Sequence, residues 1–130
     1  MILETETQKK IRLAVSAATP SVLFRNNTGM GWIGRQVHKT GTSITLEDCR
    51  PLHAGLTKGS SDLIGWTRVE ITPDMVGKTV AVFTAVECKA ARGSASEEQI
   101  NFLNVVNKAG GIAGIAKNEQ EAINLINRMF

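Results

Sequence analysis

The sequence predicts an α/β fold, a mixed sheet with helices on its faces. Three observations carry that expectation. Apolar residues recur at helical spacing near both ends of the chain. Short β-prone runs separated by turn residues fill the middle. The run Thr79 to Lys89 is apolar almost throughout, as a central strand covered on both faces should be. Helix, several strands, helix, strand, helix is the order that layered α/β folds use.

The elements follow in chain order. Ile11, Ala14, Val15 and Ala18 predict an amphipathic helix over Glu4 to Ala18. Thr19-Pro20 stops it, since a residue before proline avoids the helical region. Between Val22 and Glu47, Val22-Leu23-Phe24, Trp32-Ile33 and Ser43 to Leu46 are strand-like. Asn26 to Gly29 and Lys39-Thr40-Gly41 interrupt them as turns, Asn and Gly tolerating positive φ. Another strand is expected from Asp62 through Trp66 to Val69-Glu70-Ile71, and a turn or single helical turn over Thr72 to Gly77. Ser96-Glu97-Glu98-Gln99 is a capping box opening a helix with the stripe Ile100, Phe102, Leu103, Val106 and Ala109. Gly110-Gly111 ends it. Ile112 to Ala116 is a short strand, and Asn118 with Glu121 caps a last helix carrying Ala122, Ile126, Met129 and Phe130.

Composition sets limits on function. With 130 residues, 42% of them hydrophobic and 21% charged, the chain fits one domain with a real core and excludes wholesale disorder. Net charge is +3, from 15 basic and 12 acidic side chains, which permits a polyanionic partner without requiring one. The start, Met1 to Glu6, lacks the basic and apolar regions of a secretion signal, and no apolar run reaches the roughly 18 residues of a membrane span. Two cysteines, Cys49 and Cys88, make no disulfide framework, so a cytoplasmic setting is expected. With His38 and His53 they also lack zinc-site spacing.

Two local patterns could carry chemistry. Glu87 and Lys89 share one face of a strand while Cys88 points to the other, expected to be the core. They form either an ion pair or a metal ligand beside a charge-stabilising ammonium. The second pattern is the turn from Gly55 to Ser61, which presents Asp62 at a strand start. It is not a Walker A loop, because Ser60 stands where lysine should follow the second glycine. Either pattern alone has a plain structural explanation. In conjunction, an Asp after a glycine-rich turn, a strand, then E-x-K and a helix match the PD-(D/E)XK nuclease arrangement.

The flanking residues extend the match. Phe24 to Gly29, Gly55 to Gly65, Ala85 to Lys89, Ser96 to Gln99 and Ala109 to Gly111 occur in that order. Together they resemble the phage-type VRR-NUC (virus-type replication-repair nuclease) domain, a PD-(D/E)XK branch, from the first helix to the last. The resemblance implies a restriction-endonuclease-like central mixed sheet flanked by helices, in a single domain over residues 1–130. It makes Asp62 and Glu87 ligands of Mg²⁺ or Mn²⁺, with the backbone carbonyl of Cys88 beside them, and Lys89 the catalytic lysine. Gln99 matches a glutamine that faces the site, though a capping box alone would also account for it. Glu4 matches a first-helix glutamate that approaches the metal, with Glu6 as the alternative. Ser61 replaces a proline that often precedes the Asp, and Thr67 to Lys78 widens the gap to Glu87 as an expected hairpin.

The function so implied is metal-dependent endonucleolytic hydrolysis of DNA, selective for branched structures such as the four-way Holliday junction, by a homodimer. A flap or nicking endonuclease, and an inactive DNA-binding accessory protein, are the alternatives. The intact set Asp62, Glu87 and Lys89 argues against the last. Arg25, Lys58, Ser60 and Arg92 are candidate DNA contacts. Trp32 and Trp66 either stack on bases, cover a dimer contact or fill the core, with core burial expected for at least one. Trp32, Ile33, Val37 and Ile44 are the expected dimer surface, unless they pack within their own subunit.

Overall fold

A proline that cannot donate a backbone hydrogen bond decides where the first helix stops. In the computed structural model, which describes residues 2–128, α1 spans Ile2–Ala18 and ends before Thr19-Pro20. There follow β1 (Ser21–Arg25), β2 (Gly29–Thr40), β3 (Ser43–Ala54), β4 (Leu63–Thr67) and a 3₁₀ turn at Pro73–Met75. The chain continues through β5 (Thr84–Cys88), α2 (Glu97–Lys108), β6 (Ile112–Ala116) and α3 (Glu119–Asn127). The class is α/β, consistent with a restriction-endonuclease-like fold. Among the described residues the strands pair two by two: β1 with β4, β2 with β3, and β5 with β6. Met129 and Phe130, expected on the last helix, lie outside the described residues.

The chain divides into two compact units. One comprises Met1–Ala18 and Val22–Ile64, the other Thr19–Ser21 and Gly65–Phe130.

The first unit is dominated by an antiparallel hairpin of two 12-residue strands, β2 and β3, longer than the separate runs the sequence suggested. Two register shifts interrupt it, between Ile33 and Arg35 and between Gln36 and His38. Near the first, Asp48 takes a left-handed conformation (φ 54°), which a short polar side chain tolerates better than most, and Arg35 pairs with Glu47 at 2.5 Å and with Asp48 at 3.7 Å. Apart from half-buried Leu46, the large apolar side chains of the hairpin are exposed, Trp32 most of all at 60%. In α1 the expected stripe is similarly open: of Ile11, Ala14, Val15 and Ala18, only Val15 is half-buried. Two-sided exposure follows from the pairing, since a two-stranded ladder has no second layer of its own.

The second unit holds the core. Leu103 and Val106 of α2 pack on Ala113 of β6, with Trp66, Phe83 and Ala85 against them. Trp66 meets Phe83 with ring centroids 4.9 Å apart. Parallel pairing sets Ala85 beside Ala113 and Glu87 beside Ile115. The Asn107 side chain bonds Ala113 twice, donating to its carbonyl at 3.0 Å and accepting from its N–H at 2.9 Å. The capping box at Ser96 and Gln99 forms, and Gly110 (φ 97°) follows the end of α2 in the left-handed region that a side chain would resist.

Several expectations need correction. The strand over Thr79 to Lys89 is confined to Thr84–Cys88, because a parallel strand extends only as far as its partner and β6 has five residues. Val69 to Ile71 is not a strand, and Thr67 to Lys78 forms no hairpin; its regular structure is the 3₁₀ turn, started where proline pre-sets φ. Phe102 and Ile100 lie on exposed turns of α2, so the buried stripe is narrower than drawn. On α3 it is Leu125 that sits over Gly114, while Ile126 is exposed.

Candidate active site

Glu87 and Lys89 flank the end of β5. Strand alternation puts them on one face, and the ladder runs on through Lys89, whose N–H donates to Ala116 at 3.1 Å. The Lys89 Nζ lies 3.1 Å from Glu87 Oε1. Gln99 Nε2 donates to the same oxygen at 2.9 Å. The other end of that amide caps α2: Oε1 accepts from the Ser96 N–H at 2.9 Å, while the Gln99 N–H donates to Ser96 Oγ at 3.1 Å. Cap and site are therefore both served by one side chain.

Both contacts to Glu87 fall on Oε1, which leaves Oε2 without a partner among the described residues. The Glu87 side chain is 28% exposed and that of Lys89 20%, so the free oxygen is reachable while the pair is partly shielded from water. A carboxylate held through one oxygen and open at the other is the donor a hard divalent cation takes, oriented by neighbours that do not touch the ion. On that ground Glu87 fits a metal. Among the described residues no group of three or more His, Cys, Asp and Glu side chains gathers. Cys88, expected in the core, is exposed: strand alternation turns it away from the face of Ala85 and Glu87 that meets α2, and among the described residues its Sγ reaches only the Val86 carbonyl at 4.0 Å. Arg92 is exposed in the next turn, which Lys117 secures by donating from Nζ to the Ala91 carbonyl at 2.9 Å.

Asp62 belongs to the first unit and is exposed immediately before β4. The loop that leads to it begins at Gly55, where φ is +77° and a β-carbon would meet the Asn27 carbonyl oxygen at 2.6 Å. Only glycine fits both conditions. Asn26 then ties the loop from both ends. Its Oδ1 accepts from the Leu56 N–H at 2.9 Å, and its Nδ2 donates to Ser60 Oγ at 2.7 Å and to the Ser61 carbonyl at 2.9 Å. Its own N–H donates to the Asp62 carbonyl at 2.8 Å. The sequence marked Asn26 as a turn former, yet it lies outside the left-handed residues. Its partners are 30 or more positions away, and no local signal reports them. Lys58 lines an open cavity of about 370 Å³ with Thr28, Gly29, His53, Ala54 and Leu56. Glu4 is exposed on α1, as is Glu6, and Arg25 is exposed at the end of β1. No hydrogen bond or ion pair among the described residues engages the side chains of Glu4, Arg25 or Asp62.

The structure thus brings Glu87, Lys89 and Gln99 into contact in one unit, and sets Lys58, Ser60 and Asp62 on one loop in the other. Residues 37–120 match the family model of the VRR-NUC domain. The chain belongs to the VRR-NUC family. The match covers more than half of it and includes Lys58, Ser60, Asp62, Glu87, Lys89, Arg92 and Gln99, while Glu4 and Arg25 fall before its start. No curated protein and no solved structure matches the chain. VRR-NUC membership makes the protein a nuclease, a hydrolase whose substrate is DNA, from a family that typically uses divalent metals. Among the described residues no helix is long and apolar enough to cross a membrane.

Proposed function

We propose that residues 1–130 act as one PD-(D/E)XK endonuclease domain that hydrolyses DNA phosphodiesters with Mg²⁺ or Mn²⁺. The observation that carries this reading is the Glu87 carboxylate, bonded through Oε1 to Lys89 and Gln99 and open at Oε2. Glu87 and Asp62 would hold the cation, with the Cys88 carbonyl beside them and Glu4 the candidate for a more distant approach. Bound there, the metal supplies Lewis acidity and a water of lowered pKa. The rest belongs to the chain's own residues. Gln99 fixes the Glu87 rotamer, so that no reorientation is needed when substrate arrives. Lys89 keeps a positive charge where negative charge builds up on the phosphate oxygens. Arg25, Lys58, Ser60 and Arg92 bind backbone phosphates, which gives affinity without base readout and suits selection by DNA shape.

The preferred substrate in this reading is branched DNA, above all the four-way junction, cut by a homodimer. Support for the dimer comes from Trp32, Ile33, Val37 and Ile44, all exposed on a hairpin that does not absorb them. A two-fold dimer sets two sites against two matching strands. Cys49 and Cys88, both free and exposed, suit a reducing cytoplasm, that of the host for a phage-encoded chain.

The test is a panel of labelled four-way, flap, nicked and linear DNAs with Mg²⁺ or Mn²⁺, alongside calorimetry of metal binding. Junctions should be cut in preference to linear duplex, and Glu87→Gln should weaken manganese binding about tenfold or more, since it removes a formal charge from a hard-cation site. Preferential cutting of flaps would make the protein a flap nuclease. No cutting with any metal, together with tight DNA binding, would make it an accessory protein.

A further inference from the structure

We infer that Asn26 is the positioning residue for Asp62. The inference deepens the metal-nuclease reading above and rests on it. Asp62 receives no hydrogen bond on its own carboxylate among the described residues, so the backbone alone determines where that group points. That backbone ends a segment of Gly55, Leu56, Thr57, Lys58, Gly59, Ser60 and Ser61, whose composition favours disorder when nothing restrains it. Within the segment one turn is closed, by the Ser60 N–H on the Thr57 carbonyl at 3.0 Å.

Among the described residues, the other hydrogen bonds that tie the segment to the strand end facing it come from Asn26. A neutral amide offers two donors and one acceptor oxygen, and here both kinds are used. The oxygen takes the Leu56 N–H at the loop's beginning. The nitrogen gives to Ser60 Oγ and to the Ser61 carbonyl at its end, and the backbone N–H of Asn26 gives to the carbonyl of Asp62 itself. One half-buried side chain therefore spans the loop from its second residue, Leu56, to its seventh, Ser61, directly before Asp62. Close packing of Gly55 beneath the Asn27 carbonyl sets the distance at which that bridge fits. The neighbouring Asn27 is exposed, and no hydrogen bond of its side chain is among those of the described residues. It makes a matched control.

The experiment compares wild type, Asn26→Ala, Asn26→Asp, Asn27→Ala and Asp62→Ala. The first readout is amide hydrogen exchange of the peptide covering residues 55–62 in metal-free protein. Exchange there should rise about tenfold in Asn26→Ala, and elsewhere remain as in wild type. Asn26→Asp keeps the acceptor for Leu56 but sets a carboxylate against the Ser61 carbonyl, so it too should open the loop. Asn27→Ala should not. The second readout is manganese affinity by calorimetry, expected to fall about tenfold in both Asn26 variants. Cleavage should lose kcat, with DNA binding in Ca²⁺ unchanged. Should Asn26→Ala not fold, Asn26→Asp carries the same comparison. Wild-type exchange and wild-type manganese affinity in a folded Asn26 variant would overturn the inference. If Asp62→Ala abolishes cleavage while that result is obtained, the nuclease reading stands and only Asn26 loses its role. If Asp62→Ala cuts like wild type, the reading falls, and the positioning role falls with it.

Discussion

The two carboxylates singled out by the sequence are held in different ways. Glu87 sits on a strand whose partner, β6, is packed by Leu103 and Val106, so apolar burial fixes its backbone and two polar neighbours fix its side chain. Asp62 ends a loop with no apolar anchor among the buried residues, and hydrogen bonds to Asn26 do the holding. Burial is non-directional and tolerant of small errors, whereas a hydrogen-bonded loop depends on each partner's geometry. The first arrangement should survive modest changes in sequence. The second should be the more easily disturbed.

The largest expected effect sharpens the chemical side of this contrast. Lys89→Ala and Asp62→Ala should each reduce cleavage about 10³-fold, the scale of losing one charge-stabilising group, while urea denaturation and DNA binding stay near wild type. Gel-based single-turnover kinetics would measure it. Near-wild-type cutting by either variant would remove that residue from the site. Next comes Leu103→Ala, which leaves a cavity in the core that carries Glu87 and should cost about 3 kcal/mol by urea titration. A loss below about 1 kcal/mol would mean that burial is not what holds β5. The smallest effect on stability belongs to the hairpin. Trp32→Glu should change stability by no more than about 0.5 kcal/mol, because its side chain is 60% exposed. It should also convert a dimer to monomer in sedimentation equilibrium. A wild-type mass of 14.0 kDa across the micromolar range would dispose of the dimer and of paired junction cutting.

Legibility in the sequence tracked how local each interaction is. Glu87 and Lys89 could be placed together because strand alternation works over two residues, and Gln99 because a capping box works over four. The stop at Pro20 and the glycines after α2 are equally local. Asn26 escaped notice as an anchor because its partners at Leu56, Ser60 and Ser61 come from a distant stretch of chain. The long hairpin was missed because β3 contains Pro51, paired with Trp32, and charged residues that break an alternating pattern. Apolar content alone overextended β5, since Val80 to Val82 pairs with no strand among the described residues.

The divided use of the Gln99 amide ties two kinds of order to each other. Its oxygen must face the Ser96 N–H, since the nitrogen end has nothing to accept with, and this forces the NH₂ group toward Glu87. A slip of α2 by one residue against β5 would turn the side chain by about 100° and break its bond to Glu87, while the cap bond to Ser96 would travel with the helix. The hydrogen-bonding state of Glu87 therefore works as a register check on the helix. A misaligned protein would betray itself at the site before it showed in its helix content.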